Sequence, residues 1–243
     1  TRSSAASDVY KRQGLASGKG VYISENIEEG TQAVKEIFDG KFGEPEQILI
    51  EEFLDGDEMS YFIISDGKSY KKFQTAQDHK RVFEGDMGKN TGGMGAYSPS
   101  KLINDNLDDK IIKKIIEPTL KGLKELGVSY EGFLYAGLMI HNDEPYLIEY
   151  NVRMGDPECQ TILPKLKIDL FDVIKSCIDK NLDSVNLDWS NDKSLCVVLC
   201  SKGYPDKFDN EIEISNLENL KINSNNEFIF HAAVSYTHLT LPT

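Results

Sequence analysis

Glu149 and Asn151 stand one residue apart at the end of an alternating stretch, Leu147-Ile-Glu-Tyr-Asn151. On a β-strand the side-chain period of two puts both on one face. A carboxylate beside a carboxamide is a hard-oxygen pair suited to Mg²⁺ or Mn²⁺, an ion that keeps its other positions for water and nucleotide phosphates. Arg153 follows on the same parity, with a planar fork for phosphate or carboxylate. Met154-Gly-Asp-Pro157 then turns the chain and sets Asp156 and Glu158 at the strand's exit. One strand end thus carries a metal seat, an anion clamp and two further acids. An ordinary strand and turn with surface charges is the competing reading of the pair alone.

Other stretches offer matching chemistry. Gly14-Leu-Ala-Ser-Gly-Lys-Gly20 is a glycine-rich loop around Lys19. Glycines let backbone N–H groups approach a phosphate, and the lysine adds a point charge. The spacing is not that of a P-loop, and a strand follows where a helix should. Either a lid over phosphates or a plain hairpin turn fits. The strand Ile48–Leu54 reads as buried and ends in Glu51, Glu52, Phe53 and Leu54. Its backbone around Glu52 to Leu54 suits an adenine edge and Glu58 suits ribose hydroxyls, with an edge strand of solvated acids as the alternative. Further on, Asp78, Lys80 and Arg81 precede a long glycine-rich loop with Asn90, Thr91, Gly92 and Gly93. A loop of that length inside a compact domain is usually functional, and this one can enclose a sugar phosphate. His79 has no partner at metal spacing and reads as a hydrogen-bonding or packing residue.

The elements that must position these residues are an α+β mixture. A helix is expected over Asn26–Phe38, with Ala33, Val34, Ile37 and Phe38 as its apolar stripe. A second runs over Asp105–Leu126, kinked or broken by Pro118. Strands Phe133–Ile140 and Tyr146–Asn151 flank a turn. A third helix, Ile168–Ile178, presents Leu170, Phe171, Ile174, Cys177 and Ile178, and a strand Ser194–Cys200 opens a further domain. The 243 residues suffice for one or two domains. The net charge of −13 disfavours binding nucleic acid through its phosphates. Cys159, Cys177, Cys196 and Cys200 show no zinc spacing, and Cys196 and Cys200 read as buried thiols. No apolar stretch approaches the length of a membrane span and no signal peptide is visible, so the cytoplasm is the expected compartment. Residues 1–13 and 234–243 resemble translated adaptor sequence and are set aside from the fold.

The ordered set GLASGKG, ILIEEFLDGDE, AQDHKR, NTGGMGAYSP, YAGLMI, LIEYNVRMGDPECQ and SKGYP resembles the glycinamide ribonucleotide synthetase family of the ATP-grasp superfamily. The resemblance runs from about Gly14 to Ala233. QDHKR, NTGGMGAYSP and RMGDPE are specific to that family, whereas the glycine loop and the Glu-x-Asn pair mark only the superfamily. It implies an ATP-grasp fold, with a lid over residues 14–63, a catalytic core over 64–189 and the start of a C-terminal domain over 190–233. It implies ATP-dependent joining of glycine to 5-phosphoribosylamine through an acyl phosphate, for purine synthesis, by a monomer without nucleic-acid or membrane partners. Carried over, Lys19 sits over the phosphates, Glu51 to Leu54 on adenine, Glu58 on ribose, and Glu149 and Asn151 on the metal. Arg153 and Asp156 serve the reacting carboxylate. Asp78, Lys80, Arg81 and Asn90 to Gly93 serve the substrate pocket.

Departures are expected too. Many relatives carry a further acid on the strand before the Glu-x-Asn strand, and Gly137 holds that position here. The family's lysine ahead of the glycine loop, and its N-terminal domain, are expected to be missing. The chain therefore reads as a fragment cut at both ends, with little or no turnover of its own. The rival readings are another carboxylate–amine ligase of nucleotide metabolism, a non-catalytic ATP-binding module and a purely structural domain.

Overall fold

A computed structural model of the chain describes residues 8–12, 21–24, 26–41, 47–222 and 226–232. Two compact units divide it, Thr1–Val198 and Leu199–Thr243. The first is built on mixed helices and sheets.

Its first sheet has three antiparallel strands in the order β2-β1-β3, where β1 is Asp8–Arg12, β2 Val21–Ser24 and β3 Ile48–Glu52. The stretch set aside as adaptor-like thus supplies the central strand. Lys11 lies on that strand, opposite Leu49, so a lysine does precede the glycine loop, contrary to expectation. Helix α1, Ile27–Phe38, packs on the sheet through Ala33 and Ile37, while Phe38 stays exposed. Its start is fixed by Asn26, whose Oδ1 accepts from Glu29 N–H and whose Nδ2 donates to Glu29 in return. β3 is not the buried strand that its apolar residues suggested. It is an edge strand, and Ile50 and Phe53 stay 57% and 38% exposed.

The second sheet has the order β11-β10-β4-β5, with β4 Asp57–Asp66, β5 Tyr70–Lys72, β10 Glu131–His141 and β11 Glu144–Asn151. The lid–core boundary expected at residues 63 and 64 falls inside β4. One face of this sheet buries Met59, Tyr61, Ile63, Leu134, Ala136, Leu138 and Ile140 against a long helix. That helix runs as α2, Asp105–Ile111, a π-helical turn, Ile112–Ile116, and α3, Glu117–Glu125. Pro118 does not break it, because the wider turn just before accommodates the lost N–H. The other face buries Phe62, Ile64 and Tyr135 with Ile162 of α4, Cys159–Ile162, and Val173 and Cys177 of α5, Leu170–Ile178. Within α5, Phe171 and Ile178 are exposed, so the buried stripe runs through Val173 instead.

The expected glycine-rich loop is largely paired. β7, Arg81–Phe83, and β8, Met87–Asn90, form a hairpin, and β6, Gln77–Asp78, pairs with β9, Gly95–Ser98. β12, Ser194–Val197, joins β9 from the other side, so this strand belongs to the first unit rather than opening a new one. In the second unit the Tyr204 and Phe208 rings meet at 5.6 Å and the Phe228 and Phe230 rings at 6.3 Å. All four cysteines are free; Cys177 is buried but Cys200 is exposed, contrary to expectation. Among the described residues no helix is long and apolar enough to cross a membrane.

Candidate functional site

Strand register assembles the site. Glu58 pairs with Met139, Ser60 with Gly137 and Phe62 with Tyr135 across β4 and β10. Gly137 pairs in turn with Glu149, and Tyr135 with Asn151, across β10 and β11. Residues directly opposite share a face, so Glu58, Ser60, Tyr135, Glu149 and Asn151 all rise from one side of the sheet. Ile148 is an extra residue in β11, because Leu138 pairs with Leu147 while Gly137 pairs with Glu149. This bulge sits directly before the Glu149–Asn151 pair.

A cleft opens on that side, lined by Glu58, Ser60, Asp78, Lys80, Tyr135, Gly137 and Glu149 among others. Asn151 Nδ2 donates to Glu149 Oε1 at 3.3 Å, so the two side chains do converge. Lys80 Nζ is ion-paired with Glu58 Oε2 and lies 4.0 Å from Asp78 Oδ2. Burial opposes the lysine's charge, but Glu58, Asp78 and Glu149 outweigh it and hold the ammonium charged beyond its ordinary range. Burial, with Glu158 and Glu58 adding repulsion, pushes the Asp78 carboxyl up to about 7 against the pull of Lys80 and the His79 N–H. Among the described residues Asp78 Oδ1 has no hydrogen-bond partner.

Two residues of this cluster, Ser60 and Tyr135, escaped the sequence reading, which had Glu158 only as a further acid at the strand's exit. Glu158 is buried, accepts from Ser60 Oγ at 2.9 Å, and Ser60 meets Tyr135 Oη at 3.0 Å. Burial and Glu158 push the Tyr135 hydroxyl well above its usual range. Ser60 and Tyr135 could have been found by strand parity, because they stand two residues from Glu58 and from Gly137.

Other expected residues stand as follows. Thr91 N and Oγ1 both donate to the Lys80 carbonyl at 2.8 Å, and Gly93 N donates to Thr91 Oγ1, so this part of the loop braces Lys80 from behind. A Cβ at Gly93 would lie 2.5 Å from Pro157 Cδ and 2.9 Å from Asp78 Oδ1. Gly92 and Asn90 are exposed, and Arg81 donates to the Gly88 carbonyl. Arg153 lies past the end of β11 rather than on it, exposed, with Nη1 on the Met154 carbonyl. Asp156 accepts from Gln160 Nε2 at 2.7 Å. Glu51 to Leu54 lie at the end of β3, and Lys19 lies outside the described residues. The His79 ring packs against Tyr97 at 5.8 Å.

Glu149 and Asn151 suit a divalent ion: both offer hard oxygens, they touch, and Glu149 is exposed on the cleft. Asn151 would present Oδ1 by turning over its amide, an orientation that hydrogen bonding alone assigns. With the ion seated on two protein oxygens, most of its shell stays free for phosphates and water.

Residues 1–159 match the family model described as phosphoribosylglycinamide synthetase, ATP-grasp (A) domain. A phosphoribosylamine–glycine ligase from Brucella melitensis is 43% identical over 235 residues, covering 96% of this chain and 55% of that protein. The chloroplastic phosphoribosylamine–glycine ligase of Arabidopsis thaliana is 44% identical, covering 92% and 43%. The crystal structure of phosphoribosylamine–glycine ligase from Thermotoga maritima superposes with a TM-score of 0.73 at 34% identity, covering 83% of this chain and 51% of that one. Biotin carboxylase from Campylobacter jejuni, at 17% identity and a TM-score of 0.55, shares the fold alone. The chain spans about half the length of the curated relatives it matches.

Proposed function

Because the chain belongs to the phosphoribosylglycinamide synthetase family and has its ATP-grasp fold, we propose that the whole protein is an ATP-dependent ligase joining glycine to 5-phosphoribosylamine. Glycine is first phosphorylated on its carboxylate, and the amine then displaces phosphate, giving glycinamide ribonucleotide, ADP and phosphate for purine synthesis. The observation that carries this reading is the single cleft shared by Glu58, Asp78, Lys80 and Glu149, with Asn151 beside Glu149.

Such chemistry asks the protein for alignment and charge neutralisation more than for covalent help. Glu149 and Asn151 hold Mg²⁺ or Mn²⁺, which when bound neutralises the phosphates of ATP. Lys80 supplies a fixed positive charge at the floor of an acidic cleft. Glu51 to Leu54 border the adenine and Lys19 the phosphates. Arg153, free to turn from the Met154 carbonyl, meets the reacting carboxylate, and Asp156 steadies the turn beside it through Gln160. Arg81 and the Asn90 to Gly93 segment border the sugar phosphate. We place the reaction in the cytoplasm, carried out by a monomer.

The test is ADP release by a protein spanning the full length of the relatives. Release should require both glycine and 5-phosphoribosylamine, and Glu149→Ala should lower it by about 100-fold or more. Release that proceeds equally with another carboxylate in place of glycine, or that ignores Glu149→Ala, would refute the reading.

A further inference from the structure

Three carboxylates line the cleft, Glu58, Asp78 and Glu149, with Glu158 acting on Asp78 from beside it, and of the four only Asp78 is uncommitted. Glu58 is held by Lys80. Glu158 accepts from Ser60 and its carboxylate lies over Gly155, where a Cβ would meet Oε2 at 2.3 Å. Glu149 accepts from Asn151. Asp78 differs. Its side chain is only 6% exposed, yet Oδ1 has no donor among the described residues. A buried acceptor left unpaired is costly, and in a cleft such an atom is one that a ligand is meant to satisfy. Gly93 helps keep that oxygen clear, since a Cβ there would come within 2.9 Å of it.

The missing partner is an N–H donor on which positive charge can develop. Glu58 and Glu158 bear on the position and Glu149 lines the same cleft, against the single charge of Lys80. In the ligase reading, on which this inference rests, an amine attacking an acyl phosphate is such a donor.

We propose that Asp78 is the general base of the second half of the reaction, its Oδ1 accepting the attacking amine's hydrogen bond and then its proton. The nitrogen lone pair forms the new N–C bond. The bond from the acyl carbon to the phosphate oxygen breaks, and phosphate leaves with that electron pair. One N–H proton passes to Oδ1 and on to water when product departs. A base works best when its pKa is near the working pH, and Asp78 is pushed up to about 7. The groups that set this are Glu58 on β4, Lys80 and His79 beside it in sequence, and Glu158 beyond β11, with Tyr135 on β10 and Glu149 on β11 sharing the cleft.

The experiment compares two nucleophiles in a protein spanning the full length of the relatives, supplied with ATP, Mg²⁺ and glycine. One is 5-phosphoribosylamine, formed in situ from ribose 5-phosphate and ammonia. The other is hydroxylamine, an intrinsically reactive amine that captures the acyl phosphate as glycyl hydroxamate with little need of a base. Asp78→Asn is expected to raise the ratio of hydroxamate to ribonucleotide product about 100-fold, the usual size of a general-base contribution. The fall in the phosphoribosylamine rate below about pH 7, where the base is protonated, should vanish in the variant. Hydroxamate formation by Asp78→Asn also reports that the variant is folded. If both rates fall together, or neither changes, the proposal is overturned, and the first outcome would give that oxygen to glycine or ATP. If the unsubstituted protein forms neither hydroxamate nor ribonucleotide product, the ligase reading itself fails and this proposal with it.

Discussion

The Lys80 ammonium closes on the Glu58 carboxylate, so the residue expected at the ribose is already held by one expected at the sugar phosphate. This pair is partly exposed, 35% for the lysine side chain and 41% for the glutamate, and its worth to stability is correspondingly small. Lys80→Met should cost about 1 kcal/mol in a urea melt. The same change removes the positive charge facing Asp78, Glu58 and Glu149. Mn²⁺ affinity without nucleotide, read by electron paramagnetic resonance, should therefore rise several-fold. Unchanged Mn²⁺ affinity would show that the lysine and the metal do not compete.

Gly137 faces Glu149 across the strand pair, and a Cβ there would lie 3.5 Å from Glu149 Cγ, an ordinary contact. Gly137→Asp should thus fit sterically and place a second carboxylate, and a third oxygen donor, beside Glu149 and Asn151. Repulsion should lower the melting temperature in EDTA, and Mg²⁺ should restore it, with about tenfold tighter Mn²⁺ binding. A variant that melts early with or without Mg²⁺ would contradict this placement.

Gly93 has φ +129°, and a Cβ on it would meet both Pro157 and Asp78. Gly93→Ala combines backbone strain with overpacking and should cost about 2–4 kcal/mol in chemical denaturation. A loss under about 0.5 kcal/mol, typical of a free surface position, would mean that the loop does not pack there.

Asp78 also sets a pH dependence of stability. In the unfolded chain its proton leaves near 3.8, and in the folded chain it is kept up to about 7. The folded state therefore binds more protons across this window, and stability falls as pH rises through it. Asp78→Asn removes the slope. Relative to its parent the variant should gain up to about 4 kcal/mol above pH 7, with the gap closing below about pH 4. Urea melts at pH 4, 6 and 8 measure this; a gap that is constant with pH would show that the carboxyl titrates normally.

That Glu149 and Asn151 share one face was legible because it depends only on strand parity after Ile148, and α1 was legible from its apolar spacing. The placement of β3 was not. Its apolar residues resemble a buried strand, and nothing local states that β1 takes the middle of the sheet. The pairing of β7 with β8 was hidden by glycines, which signal loops unless the partner strand is known. Glu158 was legible as an acid at the strand's exit, but only the fold buries it against Ser60, ninety-eight positions away. The Lys80–Glu58 pair is likewise a product of the packing of β4 against the segment that follows β6.

The extra residue at Ile148 uncouples two alternations along β11. Tyr146 and Leu147 keep time with Met139 and Leu138, while Glu149 and Asn151 keep time with Gly137 and Tyr135. Deleting Ile148 would make Leu147 and Glu149 neighbours, matching the neighbours Leu138 and Gly137, so every other pair could be kept in a regular ladder. What the extra residue adds is local: it bends the strand and sharpens its twist directly before Glu149 and Asn151. The aim of these two side chains thus depends on an insertion of one residue, a kind of change that substitution scans do not sample.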